Sequence, residues 1–397
     1  MIDIKKLFEL DRMARRDAEK YPKKRDIYDF LYHEKGEHFT GLVGPRGVGK
    51  TVVLKQLALN IDDSFYLSLD AANVPDLFEL IKHLSQQYKL KVFLLDEIHY
   101  YKDFERALKV IYDFLNVRII FSSSVSLSLY ESTYDLSRRV LLKKLFPFSF
   151  REYIYFMEDV ELPPLKLQDI IERRFSPSYL RFEYLFPRYL QGGLFPFALR
   201  EPDALSILKN VVAKIINKDI PAVQALKTEE LILIDKVIQF IGKSDVDGIS
   251  YSSVAKNTGI TKYKAENYIH LLEKAFILNA IFPAGTNVLK EPKVLMFLPY
   301  RLIYREWDDA TGGIREDFFA EVLASRDIPF KYLKSTRGAK TPDFLLETDE
   351  GDVVFEVGGR SKSREQFKGV QSDRKIILTD SPESEGIKRP LCLLGFL

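Results

Sequence analysis

The pattern of apolar and polar residues changes along the chain, and the changes suggest separate domains. Between residues 37 and 145, short apolar runs alternate with amphipathic stretches. The predicted strands are 37–43, 64–69, 91–95 and 117–121, and the predicted helices are 52–58, 74–88 and 104–115. The run 91–95 is almost continuously apolar, which is typical of a parallel strand buried on both faces. This alternation predicts an α/β domain with a parallel core.

Outside that region the pattern is mostly helical. Residues 1–35 are helical and charged, and we interpret their basic cluster, residues 23–25, as a solvated face rather than a nucleic-acid arm. Residues 150–240 are helical with breaks at prolines and at Gly192-Gly193, and residues 245–282 form a compact helical unit. Residues 315–380 continue as helix, strands, then helix and strand. Boundaries near 205 and 290 give three predicted domains: 1–205, 206–290 and 291–397.

Composition narrows the class of protein. The 397 residues are 46% hydrophobic and 29% charged, with a net charge of +2, as in a globular protein whose charge alone implies no nucleic-acid partner. The single Cys392 excludes an intramolecular disulfide framework and a multi-cysteine metal site. No apolar run approaches the roughly 20 residues of a membrane span, and the N-terminus lacks the apolar core of a signal peptide. We therefore expect a cytoplasmic protein with no membrane partner.

A glycine-rich segment lies between the first predicted strand and the next predicted helix. It matches the pattern G-x-x-x-x-G-K-T with Gly44, Pro45, Arg46, Gly47, Val48, Gly49, Lys50 and Thr51. Glycines let backbone N–H groups turn toward a phosphate, and the following helix points its positive end at the anion. Lys50 would reach the β- and γ-phosphates, and Thr51 would hold Mg²⁺. The segment predicts a phosphate-binding loop.

Two carboxylates, Asp96 and Glu97, follow the apolar strand that ends at Leu95. Ligands bind at the carboxyl ends of strands in open α/β sheets. Asp96 would hold Mg²⁺ directly or through water, and Glu97 would polarise the attacking water as general base. Together with the loop, these carboxylates predict a site that binds and hydrolyses a nucleotide with Mg²⁺.

Further polar residues follow the next strand. One of Ser122 to Ser124 would sense the γ-phosphate, and the pattern does not separate them, so Ser123 at the centre stands for the three. Arg138 and Arg139 come next. They are either a source of positive charge for the transferring phosphoryl group or a basic surface pair.

These motifs occur in an order that resembles a group of archaeal and bacterial AAA-type ATPases. The motifs of this chain are Gly44 to Thr51, Leu94-Leu95-Asp96-Glu97-Ile98-His99, Ser122 to Ser124, Arg138-Arg139, the segment 145–153, LFPFSFREY, and the turn 192–196, GGLFP, which is one residue longer than usual. The resemblance implies ATP as the nucleotide, consistent with the lack of an N-K-x-D motif. It also implies that Arg138 or Arg139 is an arginine finger, acting in cis or, in an oligomer, in trans. It further implies a winged-helix domain and a C-terminal domain similar to PD-(D/E)xK nucleases.

A helix-turn-helix pattern spans residues 249–272. Val254 and Ala255 lie on the inner face of the first helix, and Gly259 makes the turn. Thr261 caps the second helix, and the inward-facing residues of that helix are Tyr268, Ile269 and Leu272. The residues that would face a DNA groove are Thr261, Lys262, Tyr263, Lys264 and Asn267. The local charge is only slightly positive, so DNA binding and a protein-interaction role remain open alternatives.

The C-terminal region carries acidic residues in the order that the nuclease resemblance requires. Glu316 lies on a predicted helix, and Asp343 and Glu356 lie on two predicted strands of a hairpin. These three carboxylates would hold a divalent cation. The lysine usually found two residues after the last carboxylate is replaced by Gly358. Lys362 either supplies that charge, or the domain does not cleave DNA.

The sequence as a whole predicts an α/β P-loop AAA-type core with a helical extension, a winged-helix domain and a restriction-endonuclease-like α/β domain. The predicted function is MgATP hydrolysis coupled to the binding or processing of duplex DNA. The alternative is an ATP-dependent signalling or scaffolding switch that acts on a protein partner and has a degenerate C-terminal domain. A homo-oligomer or a protein partner is compatible with either function.

Overall fold

The computed structural model describes residues 3–124, 136–285, 291–334, 341–367, 370, 372 and 374–397. Its contacts divide the chain into two compact units. The first unit comprises Met1–Pro147 and Asn217–Ala225, and the second comprises Phe148–Ile216 and Leu226–Leu397. Within the described ranges, every helix is too short or too polar to cross a membrane.

The described residues form fourteen α-helices. In order they are α1 Ile4–Ala18, α2 Ile27–His33, α3 Lys50–Asn60, α4 Leu77–Tyr88, α5 Phe104–Phe114, α6 Phe150–Glu158, α7 Leu167–Ile171, α8 Phe186–Arg188, α9 Ala204–Lys214, α10 Ile220–Val223, α11 Thr228–Lys243, α12 Tyr251–Thr258, α13 Lys262–Lys274 and α14 Trp307–Ser325. Short 3₁₀ turns and two π-helical turns, Tyr189–Gly193 and Ile215–Asp219, connect some of them.

The first unit is built on a five-stranded parallel sheet. Its strands are β1 Phe39–Val43, β2 Ser64–Ser68, β3 Val92–Asp96, β4 Arg118–Ser123 and β5 Val140–Lys144, in the spatial order β2-β3-β4-β1-β5. Every residue of β1 and β3 is buried, as expected for parallel strands covered on both faces. The predicted parallel α/β core is therefore confirmed.

The strand order decides which segments meet at the carboxyl edge of this sheet. Since β4 lies between β1 and β3, the serines that end β4 come beside both the glycine-rich loop after β1 and the carboxylates after β3. The edge strand β5 was not predicted, because its Val-Leu-Leu-Lys-Lys sequence lacks a continuous apolar run. In the structure this strand is only partly buried.

The second unit contains a helix-turn-helix arrangement. Helices α12 and α13 pack together, with α11 against α12 and the antiparallel strands β6 Leu278–Ile281 and β7 Lys293–Met296 following. Thr261 caps α13 by accepting a hydrogen bond from the backbone N–H of Lys264 at 3.2 Å. The predicted inner residues Val254, Tyr268, Ile269 and Leu272 are buried, whereas Ala255 is only half-buried.

The second unit also holds a mixed five-stranded sheet. Its strands are β8 Lys331–Tyr332, β9 Phe344–Leu346, β10 Val353–Gly358, β11 Arg374–Thr379 and β12 Lys388–Pro390, in the order β12-β11-β10-β9-β8. Strand β9 pairs antiparallel with β8 and with β10, whereas β11 pairs parallel with β10 and with β12. Helix α14 packs against β10, which brings the predicted acidic helix and hairpin together.

The units do not divide where the sequence predicted. The helical extension up to residue 205 was placed with the first domain, but from Phe148 onward it belongs to the second unit. Aromatic packing is the reason, because the Phe150 ring lies 5.5 Å from Phe396 and the Phe186 ring lies 5.1 Å from Phe318. The boundary near 290 fell on residues outside the described part, and β6 pairs with β7 across it.

Candidate functional site

The glycine-rich loop forms a tight turn between β1 and α3. Gly47 and Gly49 have φ angles of 88° and 93°, which side-chain-bearing residues rarely adopt. A Cβ atom on Gly44 would lie 2.0 Å from the backbone oxygen of Leu145. The loop therefore needs glycine for two reasons, backbone conformation and close packing, and it ends at the N-terminus of α3, where backbone N–H groups favour an anion.

Lys50 is buried beneath this loop. Its Nζ donates hydrogen bonds to the backbone oxygens of Gly44 at 2.7 Å and Pro45 at 2.8 Å. Burial lowers the pKa of Lys50 to about 8, although the carboxylates of Glu97 and Asp96 favour its charge. Its partners are neutral carbonyl groups, so the ammonium can exchange them for phosphate oxygens without breaking an ion pair.

Asp96 is held by hydroxyl groups at the end of β3. It accepts hydrogen bonds from Ser122 Oγ and, at 2.8 Å, from the hydroxyl of Tyr66. Burial raises the pKa of Asp96, although the nearby Thr51 hydroxyl favours its charged form. Thr51 and Asp96, the two predicted Mg²⁺ ligands, are therefore brought together.

Glu97 sits in a left-handed conformation with φ of 53°, just beyond the strand. Its backbone N–H donates to Ser122 Oγ at 2.9 Å, so Ser122 joins both carboxylate residues. Its Oε2 lies 3.4 Å from His99 Nδ1, and Ser123 Oγ lies 3.2 Å from the same nitrogen. The predicted sensor Ser123 therefore contacts His99, whereas Ser122 contacts Asp96.

His99 is a component that the sequence reasoning missed. Burial lowers the pKa of His99 to about 4, so the imidazole is neutral near pH 7. Ser123 Oγ is the hydrogen-bond partner of His99 Nδ1, whereas Glu97 Oε2 lies near the same nitrogen without a hydrogen bond to it. His99 therefore lies beside the Glu97 carboxylate without adding charge.

Asp219 is a second missed component. It is 1% exposed and lies on the stretch Asn217–Ala225 that belongs to the first unit. The Arg46 guanidinium donates to both of its carboxylate oxygens, through Nε and, at 2.7 Å, through Nη2. No local motif marks Asp219, which is 173 positions from Arg46.

Arg25 was also misjudged. The sequence placed it in a solvated basic cluster, but it is 8% exposed. It donates hydrogen bonds to the backbone oxygens of Val48, Phe146 and Pro147 at 2.8, 3.0 and 3.2 Å. Arg25 therefore fixes the glycine-rich loop from outside.

The structure does not bring Arg138 and Arg139 to this site. They precede β5, which runs parallel to β1 with Val140 beside Phe39, so they lie at the amino edge of the sheet. A five-residue strand, about 16 Å long, separates that edge from the loop. Arg139 is bound to Asp113 at 2.9 Å. This geometry contradicts a cis role for the pair and leaves two alternatives, a role in trans or a basic surface pair.

A second cluster of charges lies in the second unit. Lys293 Nζ is 2.5 Å from Glu316 Oε2, and Lys362 Nζ is 2.5 Å from Glu356 Oε1. Asp343 accepts a hydrogen bond from the backbone N–H of the residue after Glu356 at 2.8 Å. Burial raises the pKa of Glu316 to about 8 and that of Asp343 to about 6, and neighbouring carboxylates add to both shifts.

Gly358 explains how Lys362 reaches this cluster. A Cβ atom at position 358 would lie 2.6 Å from Lys362 Cε and 2.7 Å from its Cγ, so the lysine chain occupies the space that a side chain there would need. Lys293 was not predicted, since no motif includes it. Among the described residues, no three His, Cys, Asp or Glu side chains are grouped closely enough to hold a metal ion.

Comparison with known proteins assigns a family to the domain that contains the first of these sites. The sequence model of the AAA domain family matches residues 37–154, which span the parallel sheet, the glycine-rich loop and both carboxylates. Residues 37–154 form an AAA-type P-loop domain. The first site therefore lies at the carboxyl edge of the sheet of the AAA domain.

Other comparisons cover more of the chain. A domain family of unknown function matches residues 183–297. An uncharacterized protein of Methanocaldococcus jannaschii is 29% identical over 94% of this chain and 89% of its own. A Walker-type ATPase of Pyrococcus abyssi aligns with 69% of this chain and 92% of its own at 15% identity, with a TM-score of 0.41. The ORC1 protein of Aeropyrum pernix, solved in complex with DNA, aligns with 79% and 94% at 16% identity, with a TM-score of 0.29.

Proposed function

We propose that this protein binds MgATP at the AAA domain and hydrolyses it. One observation carries the proposal: Thr51, Asp96 and Glu97 converge beside the loop that ends at Lys50, with Ser122 joining the two carboxylate residues. Lys50 would bind the β- and γ-phosphates. Glu97 would accept the proton of the attacking water, and Asp96 would remain ionised beside the hydroxyl of Thr51.

The residues fit a magnesium ion. A hydroxyl and a carboxylate oxygen are the hard ligands that Mg²⁺ prefers alongside phosphate oxygens and water. When bound, the ion would neutralise charge on the phosphates. Glu97 Oε2 is buried and has no hydrogen-bond partner among the described residues, which suits an acceptor for a water proton.

The decisive experiment measures ATP hydrolysis by the wild type and by Glu97→Gln. Loss of a general base typically lowers kcat about 10²- to 10⁴-fold, whereas ATP affinity should remain within about threefold because Gln keeps the shape. Equal rates for the two proteins would contradict the proposal. The same rates are measured with duplex DNA added, to test whether DNA changes ATP hydrolysis.

We further propose that nucleotide state is coupled to duplex DNA through the helix pair α12 and α13. The predicted groove-facing residues, Thr261, Lys262, Tyr263, Lys264 and Asn267, are all exposed, and Tyr263 is 73% exposed. Exposed polar and aromatic side chains at the start of the second helix are the usual readers of a major groove.

Fluorescence anisotropy with labelled duplex DNA tests this coupling. Binding should weaken steeply as salt rises, because each phosphate contact releases counterions. Lys264→Ala should weaken binding more than the matched exposed control Lys236→Ala on α11. Undetectable binding at low salt would contradict a DNA role.

The second candidate is an ATP-dependent switch that scaffolds a protein partner. Its support is the second cluster, where Lys293 and Lys362 pair with two of the three predicted cation ligands. Mn²⁺-dependent nicking of plasmid DNA that is lost in Asp343→Ala would favour a nuclease over this candidate. Nicking by the variant at the wild-type rate would indicate a contaminant and leave the second candidate favoured.

A further inference from the structure

Arg46 occupies the third position of the phosphate loop and faces the catalytic carboxylate. Its Nη1 lies 3.7 Å from Glu97 Oε1, and its Nη2 donates to the hydroxyl of Tyr100 at 3.1 Å. The side chain is 12% exposed. The guanidinium is therefore beside the position where Glu97 would hold the attacking water.

Asp219 fixes the direction of this guanidinium. Its side chain is 0% exposed, and a buried carboxylate requires a charged or hydrogen-bonding partner. Planar, bidentate pairing with Arg46 meets that need and restricts the rotation of the arginine. Burial opposes the charge of Arg46, but the carboxylate of Asp219 outweighs burial and raises the pKa of the arginine.

The placement of the other candidate arginines strengthens the case for Arg46. Arg138 and Arg139 precede β5 at the amino edge of the sheet, whereas Arg46 lies at the carboxyl edge with Lys50 and Glu97. A positive charge that meets the transferring phosphoryl group within one chain must come from the carboxyl edge.

We propose that Arg46 is a catalytic arginine supplied in cis, and that Asp219 is the positioning residue that directs it. The inference rests on the proposed ATP hydrolysis. Water oxygen forms a bond to the γ-phosphorus as its proton passes to Glu97. The bond from that phosphorus to the β–γ bridging oxygen breaks, and its electron pair leaves with ADP. The guanidinium of Arg46 stabilises the negative charge on the transferring oxygens.

The test compares kcat and ATP affinity in matched variants. Arginines of this kind contribute about 10³- to 10⁵-fold to kcat in other phosphoryl-transfer enzymes. We expect Arg46→Ala to lower kcat at least about 100-fold while ATP affinity changes less than about threefold. The control Arg12→Ala, at an exposed position on α1, should retain the wild-type kcat.

Asp219→Asn provides the readout for positioning. It should lower kcat about tenfold without raising KM, because the arginine remains present but less well directed. Low-millimolar guanidinium should partly restore kcat in Arg46→Ala and have no effect on Asp219→Asn. If Arg46→Ala fails to fold because Asp219 is left buried and unpaired, the double variant Arg46→Ala with Asp219→Ala removes both charges and should show the same loss of kcat.

The outcomes separate this inference from the proposed function. Hydrolysis that depends on Glu97 but survives Arg46→Ala, or that falls only through ATP affinity, would overturn the inference alone. A specific activity that rises with protein concentration and is lost in Arg138→Ala would place the arginine in trans and also overturn it. If the wild type shows no Glu97-dependent hydrolysis, the proposed function fails and the inference fails with it.

Discussion

The two charged sites of this protein contain similar residues but arrange them differently. In the AAA domain, Lys50 binds neutral backbone oxygens and Asp96 accepts from hydroxyl groups. In the second unit, Lys293 and Lys362 each pair directly with a carboxylate. Apart from Arg46, which pairs with Asp219, the first arrangement keeps both signs of charge available for a phosphate and a cation. The second cancels its charges internally.

From this difference we infer that the partners of a charged residue predict binding better than its identity does. Acidic residues and a nearby lysine are present at both sites. Only where neutral groups hold the charges can a ligand replace those groups without separating an ion pair, whose rupture in a buried setting costs about 3–5 kcal/mol. The following variants test this distinction between the two sites.

Removing one lysine from each site should give the largest contrast. Lys50→Ala should weaken ATP binding at least about 100-fold, since two charge-assisted hydrogen bonds are worth about 3 kcal/mol. Lys362→Ala should leave ATP binding unchanged. Isothermal titration calorimetry measures both, and a similar loss of affinity in the two variants would contradict the distinction between the sites.

Adding one methyl group to each site should have a smaller effect. Gly44→Ala places Cβ 2.0 Å from a backbone oxygen, so the loop must shift, and we expect ATP affinity to fall more than tenfold and the free energy of unfolding to fall by about 1–3 kcal/mol. Gly358→Ala meets only the flexible chain of Lys362 and should cost less than about 1 kcal/mol.

Chemical denaturation and ATP titration measure these two changes. Gly312→Ala, where the added methyl meets nothing within 4 Å, is the control for a glycine replacement. An equal cost at positions 44 and 358 would show that Lys362 is not free to move.

The smallest predicted effect is a pH dependence of ATP binding. Burial lowers the pKa of Lys50 to about 8, and bound phosphate favours its charged form. Below pH 8 the lysine is already protonated, so this group adds no pH dependence. Above pH 8 binding must take up a proton, and ATP affinity should fall about fourfold between pH 7 and 8.5.

Titrations in buffers of different ionisation enthalpy would detect the proton uptake. Lys50→Arg keeps its charge at all these pH values and should lose the dependence. A wild-type affinity that is flat up to pH 9 would contradict the lowered pKa.

The sequence predicts the parts of this molecule that depend on local patterns. The parallel core and the glycine-rich loop follow from apolar runs and from a motif of eight consecutive residues. Asp219 and Lys293 could not be found in this way, because each reaches its site through long-range folding from a segment with no motif. Arg25 was misread because a basic cluster looks solvated unless the carbonyl oxygens that bind it are known.

The predicted domain boundary near 205 shows the same limit. The prolines and the Gly192-Gly193 pair locate breaks in helices, but they do not reveal which helices share a core. That depends on rings distant in sequence, such as Phe150 and Phe396.

The stretch Asn217–Ala225 limits how the gene for this protein can be divided or recombined. It belongs to the first unit, although the residues on both sides of it belong to the second. A gene fragment encoding residues 1–147 would supply the phosphate loop and both carboxylates but not Asp219. Recombination at a single point therefore cannot transfer the complete proposed nucleotide site to another protein, so we expect this site and the second unit to be passed on together.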